Sequence, residues 1–469
     1  MPHVTLIQPS FLDRCIHFPI GLGYLAAVLE KNNINVSIVD LNFSDKKILK
    51  KLKSSDVVGI STMTKTFPSV LKTAKQIKEI NPDIPIVLGG HHPSVAAESC
   101  LSYPEIDYCV IGEGEYTLLD LVKTIENKGD ISKIKGIAYR NKGEIKCTET
   151  RPLIQNLDDL PFPAYHLFNK RNYFYSIIGV GNVKKIPWVS IVTSRGCPFQ
   201  CIFCKRIYGQ TFRARSPENV LDEMEFLVSK YKIKEFLIVD DNFTLIKDRV
   251  EKICDMIIER DLDIAIRFPN GMRADAVDFE LLKKLKKAGM YKTAFGIESG
   301  STRMLKIMKK NLDLDKIKRT VKMCRILGIK TIGFFVVGLP GETRESALQT
   351  IKFAKELPLD DVAFYPATPY PGTEFFYWAI KKGYLKPENL DWDKFDLLNY
   401  NSVCRTDDLS TEEISELVKK ASREFYFRPI TLVRKLLDMR SFKELEIAFG
   451  EASNWFRIHS RYYSRVEEN

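Results

Sequence analysis

The stretch SRGCPFQCIFCKR, Ser194–Arg206, sets Cys197, Cys201 and Cys204 in the spacing CxxxCxxC. It follows the apolar, β-branched run WVSIVT, so the cysteines fall on a loop at the carboxyl end of a strand. Barrels of parallel strands gather their reactive centres at that end. A structural zinc closes its tetrahedron with four protein ligands, and no nearby Cys or His supplies a fourth; the histidine nearest in sequence is His166. Three thiolates on a four-iron cluster leave one iron without a protein ligand and open to a chelating molecule. Three buried apolar cysteines are the bland alternative.

On either side of this loop the chain alternates strand-like and helical patterns. From Trp188 the runs WVSIVTS, EFLIVDD, IAIRFPNGMR, TAFGIESG, KTIGFFVVGLPGE and VAFYPATPYPGT are separated by helical stretches. Joined by right-handed crossovers, they predict a partial (β/α)6 barrel over residues 188–400. Upstream, VTLIQ, VSIVD, VVGIST, PIVLGG and YCVIG alternate with helices, which predicts a Rossmann-like parallel sheet over residues 1–140. Ligands of such sheets sit beyond the carboxyl ends of the strands. Ser61, Thr62, Gly89, Gly90, Gly112 and Gly114 lie there, either relieving tight turns or making a flat floor for a large cofactor. Residues 141–187, with DDLPFPAYHLF, read as a linker packed over the surface. Residues 401–469 read as a helical segment opened by a capping box at Ser410 and Glu413. The fold class is α/β, with two parallel-sheet domains in succession and a helical C-terminus.

Composition supports filled cores: 469 residues, 45% hydrophobic and 11% aromatic, are ample for two or three domains. Ten cysteines scattered apart from one cluster argue for ligands in a reducing compartment rather than a disulfide frame. No secretion signal or spanning stretch stands out, so the expected location is the cytoplasm, including the inner face of a membrane. The formal charge of +11 is spread over helices beside Glu and Asp, which disfavours nucleic acid as a partner. The segment Phe425–Arg465 interleaves aromatic and basic residues, a pattern suited to an anionic membrane surface. That pattern suggests a lipid or isoprenoid substrate beside the broader class of small molecules.

The CxxxCxxC loop after the first barrel strand resembles the radical S-adenosylmethionine (SAM) superfamily. The resemblance implies a 4Fe-4S cluster on Cys197, Cys201 and Cys204, SAM chelated to the open iron, and a 5′-deoxyadenosyl radical that abstracts hydrogen from substrate. It implies an electron donor such as flavodoxin or ferredoxin. Phe203 matches the aromatic placed near adenine, and Glu298 and Ser299 in GIESGS, with Gly338 in VVGLPGE, match regions lining SAM. For Glu298 the alternative is a carboxylate at a helix start. FPIGLGYLAAVLE, GISTMT, VLGGHHPS and DYCVIGEGEYTLLDL resemble the cobalamin-binding subgroup of that superfamily. The histidine-supplying motif DxHxxG is absent, which implies cobalamin without a lower axial histidine; His91 and His92 remain candidates for the corrin edge, and a vestigial domain is the alternative. The expected activity is methylation of an unactivated carbon. Ring formation, ring contraction, oxidation or tRNA modification are the alternatives, and a cobalamin-sensing module is the non-enzymatic one.

Overall fold

The computed structural model describes residues 2–10, 18–43, 52, 54–176, 183–205, 207–387, 390–395, 400–429, 431 and 433. The first sheet is built from β1 (His3–Gln8), β2 (Asn35–Asp40), β3 (Val57–Ser61), β4 (Ile86–Gly89), β5 (Tyr108–Val110), β6 (Ile137–Asn141) and β7 (Glu144–Cys147), in the order β2-β1-β3-β4-β5-β6-β7. Its first five strands are parallel; β6 and β7 add to the edge antiparallel. The chain reverses order between β1 and β3, and ligands of such sheets bind beyond the strand ends at that reversal. Alternation along the strands sends Val4, Leu6 and Val57 to one core and Ile7, Val58 and Ile60 to another, as a sheet covered on both faces requires.

The sheet therefore runs past residue 140. The sequence Asn141-Lys142-Gly143 supplies left-handed backbone at Lys142 (φ 50°) and Gly143 (φ 89°), which is what a tight hairpin between β6 and β7 needs. The following stretch corrects a second expectation. Instead of lying over the surface, Tyr165 and Phe174 are each 1% exposed and join Phe18, Phe168 and Tyr173 in one aromatic cluster. Gly23 permits the approach, since a Cβ there would stand 2.8 Å from Pro163. Aromatic area holds this segment, whose only helices among the described residues are the short turns Leu157–Asp159, Tyr165–Leu167 and Lys170–Tyr173.

The second sheet comprises β8 (Trp188–Ile191), β11 (Glu235–Ile238), β12 (Ala265–Met272), β13 (Met290–Glu298), β14 (Lys330–Val337) and β15 (Asp361–Pro366), all parallel and in sequence order. Between β8 and β11, the short strands β9 (Ser194–Arg195) and β10 (Arg213–Ala214) pair antiparallel and bracket the cysteine loop. Sequential parallel strands with helical crossovers make the open (β/α)6 barrel. The helix Thr411–Tyr426 is capped by the reciprocal Ser410–Glu413 pair and packs on β15. Among the described residues no helix is long and apolar enough to cross a membrane.

Candidate active site

The cysteine loop is held by the strand beside it. Asp240, after β11, accepts from Thr193 N and Oγ1 and from Ser194 Oγ, each at 2.6 Å, while Asp241 accepts from Gly196 N at 2.9 Å. Only glycine fits at 196: φ is 84° and a Cβ would stand 2.3 Å from Thr211 O. The sequence reading passed over this Asp pair, though two acids directly after an apolar strand were a signal that something at the barrel mouth needed acceptors.

The three cysteines line one cavity of about 370 Å³ at the carboxyl ends of the barrel strands. Among the described residues no group of three His, Cys, Asp or Glu closes on a single ion. Three thiols lining one cavity suit a polynuclear cluster, in which each thiolate takes its own iron. Burial raises the Cys201 thiol above its ordinary value, so a bound cation would have to supply the charge that ionises it.

Phe203 and Glu298 line the same cavity. Glu298 ends β13 with φ 65°, a left-handed conformation that costs a side-chain-bearing residue about 1–2 kcal/mol, and its carboxylate pairs with Lys310 Nζ at 3.0 Å. It does not start a helix; the next helix begins at Thr302, capped by Ser301. Ser299 is fully buried, its hydroxyl hydrogen-bonded with Thr350 Oγ1 at 2.9 Å. Gly338 faces Ile414, whose side chain a Cβ would meet at 2.8 Å. Neither of these two lines the cavity. Asn242, which the sequence reading missed, does, and its buried amide has no partner at either Nδ2 or Oδ1. An orphaned amide beside the cysteines suits a polar ligand such as the amino-acid end of SAM.

A second cavity, of about 120 Å³, opens beyond the first sheet and is lined by Gly59, Ser61, Gly89, Gly90, Gly112, Gly114 and residues of β1, β4 and β5. A Cβ at Gly90 (φ 103°) would stand 3.0 Å from Thr62 O, so glycine is what the close approach of these two strand ends requires, and small residues keep side chains off the cavity floor. Thr62 itself is buried and bonds to Ile60 O. His92 lines neither cavity. It is boxed between Phe67 and Trp392 with centroids at 4.4 and 4.8 Å, bonds to Thr64 Oγ1, and is held neutral by burial, its pKa lowered to about 3. His91 lines the cysteine cavity instead. Tyr208 lines both cavities, so the two face each other across one side chain. Another hollow, of about 700 Å³, lies among helices outside the barrel and contains none of the cysteines.

A Rossmann-like floor of small residues set against a three-cysteine barrel mouth defines a two-cofactor enzyme. Residues 14–122 match the B12 binding domain family and residues 191–354 the radical SAM superfamily. The chain is 35% identical over 436 residues to an uncharacterized methyltransferase of Pyrococcus horikoshii, covering 90% of this chain and 91% of the relative. It is 31% identical over 486 residues to the cytidylyl-2-hydroxyethylphosphonate methyltransferase of Streptomyces wedmorensis, covering 91% and 89%. Its fold is shared with the radical SAM methyltransferase TsrM of Kitasatospora setae, whose structure holds cobalamin and a 4Fe-4S cluster: TM-score 0.68, 21% identity, 81% of this chain and 75% of that one. The chain belongs to the cobalamin-binding radical SAM family of methyltransferases, and its cofactors are a 4Fe-4S cluster, SAM and cobalamin.

With neither histidine at the floor of the second cavity, we expect bound Co(II) cobalamin to show no nitrogen superhyperfine splitting in its electron paramagnetic resonance spectrum. His91→Ala and His92→Ala should leave that spectrum unchanged; a splitting lost in either variant contradicts the placement.

Proposed function

We propose that the protein transfers a methyl group to an unactivated carbon of a small molecule bearing an anionic group, with Cys197, Cys201 and Cys204 holding the cluster and Phe203, Asn242 and Glu298 lining the SAM site. Bound together, the cofactors supply a carbon-centred radical and a methyl group, and the barrel mouth orients them and limits access of water. A small acidic electron carrier, a flavodoxin or ferredoxin, delivers the reducing electron.

The observation that carries the substrate class is Lys205, next to Cys204. Its ammonium lines the cysteine cavity, lies 4.2 Å from the Tyr370 ring centroid and donates to Thr64 Oγ1 at 2.8 Å. Arg273 and Lys310 in the same cavity are paired with Asp275 and Glu298, whereas among the described residues Lys205 pairs with no carboxylate. A partly buried cation without a carboxylate favours an anionic ligand. The relative from Streptomyces wedmorensis bears the name of a phosphonate substrate, in keeping with this reading.

A lipid or isoprenoid substrate rested on Phe425–Arg465. From residue 434 that segment lies outside the described residues, and its described start is already engaged: Phe425 is fully buried, Tyr426 bonds to Val362 O at 2.7 Å, and Arg428 stacks 3.9 Å from the Phe425 ring. These contacts dock the helix on β15.

The experiment is anaerobic incubation of the reduced enzyme with methyl-deuterated SAM and a small-molecule extract. We expect a product carrying the labelled methyl on carbon and an anionic group, with KM for its precursor raised roughly ten- to a hundredfold in Lys205→Met, the worth of one charge-assisted hydrogen bond. An unlabelled cyclised or oxidised product, a neutral substrate, or an unaltered KM each overturns the reading.

A further inference from the structure

Arg195 stands two residues before Cys197 yet is bound by the other domain. Its Nη1 donates to Glu113 Oε1 at 2.8 Å and its Nη2 to Glu115 Oε1 at 2.7 Å, with every partner side chain 7% exposed or less. Both carboxylates come from the turn after β5 and the start of the helix Glu115–Glu126, and both line the glycine-floored cavity. The guanidinium also lies 5.2 Å from the Tyr24 ring centroid and 5.7 Å from that of Tyr208, and Tyr208 lines both cavities. The cysteine loop is thus tethered at its first residues to two groups that form part of the wall of the cobalamin site.

We propose that Arg195 is a positioning residue that couples the two cofactor sites, so that filling the cavity beside Glu113 and Glu115 biases the cysteine loop toward the arrangement that holds the cluster. The coupling rests on the cofactor assignment above. Glu113 and Glu115 are already almost dry, so a ligand filling the cavity that they line acts on them by contact, fixing both carboxylates and with them Arg195. Because Arg195 belongs to the β9–β10 ladder, a fixed guanidinium fixes the strand that enters the loop. The metal-free and cluster-bound loops are the two states that such a bias acts on. Linkage makes the effect reciprocal, so the cluster must tighten cobalamin binding by the same factor.

Equilibrium dialysis of hydroxocobalamin against the full chain, metal-stripped and with the cluster reconstituted, reads that factor directly. In the wild type we expect binding tighter by on the order of tenfold when the cluster is present. In Glu115→Gln, where Arg195 keeps only Glu113, the ratio should fall to near unity. Arg195→Lys retains the charge but not the two-armed contact, and should behave alike even where the first variant folds poorly. A wild-type ratio of one, or a wild-type ratio surviving in the folded variants, rules the coupling out. Failure of the wild type to take up iron, or to bind cobalamin in either form, instead defeats the cofactor assignment, and iron and cobalt analyses separate the two results.

Discussion

Protein with Cys197, Cys201 and Cys204 all changed to alanine is expected to purify anaerobically without the brown absorption of an iron-sulfur cluster and to release no 5′-deoxyadenosine from SAM above background. The three thiols are the cysteines of the barrel-mouth cavity, and carboxylates are poor substitutes for thiolates on such clusters, so Asp241 and Glu298 at the same wall should not rescue it. The fold should survive. Thr193, Ser194 and Gly196 stay bonded to Asp240 and Asp241, and of the three side chains only Cys201 is buried. Iron content and thermal unfolding measured on the same preparation give the check: a triple variant that keeps stoichiometric iron, or unmutated protein that takes up a single zinc and no iron, contradicts the assignment.

What the sequence made legible was whatever depends on local pattern. Strand runs alternating with helices marked both parallel sheets, and cysteine spacing at a strand end marked the cavity that the three cysteines line, because period and spacing are written along the chain. The Ser410–Glu413 cap was legible for the same reason. What stayed hidden depends on partners far apart in sequence. Asn242 reads as an ordinary turn residue until its amide is seen to be buried and unpaired. His92 resembled a cofactor residue until Phe67 and Trp392 closed around it. Gly338 and Ser299 sit in the expected turns, but a Cβ at Gly338 would meet Ile414 and the Ser299 hydroxyl is engaged by Thr350. Glu113 and Arg195, 82 positions apart, carry no local mark at all.

Glu113→Ala is expected to be the most destabilising single change to the link between the domains. Across the two-stranded ladder Arg195 stands directly opposite Arg213, and like charges in that position repel. Glu113 lies between them, accepting from Arg195 Nη1 and Arg213 Nη1, each at 2.8 Å, and from Ile154 N at 2.7 Å, with its side chain 4% exposed. Arg213 has no partner at Nε or Nη2, so its charge is met through Nη1 alone. Removing one member of a buried ion pair costs roughly 3–5 kcal/mol, because the remaining charge stays out of water; here Arg213 is left without its carboxylate, opposite an Arg195 that keeps only Glu115. That is a large share of the roughly 5–15 kcal/mol that holds a domain folded. Urea unfolding should place Glu113→Ala well below Glu115→Gln, in which Arg195 retains Glu113, and far below Lys252→Ala, which opens only the exposed pair with Glu218 and is worth about 0–1 kcal/mol. Should Glu113→Ala unfold at the same urea concentration as Lys252→Ala, the two arginines have found water or another acceptor, and the interface is not held by this carboxylate.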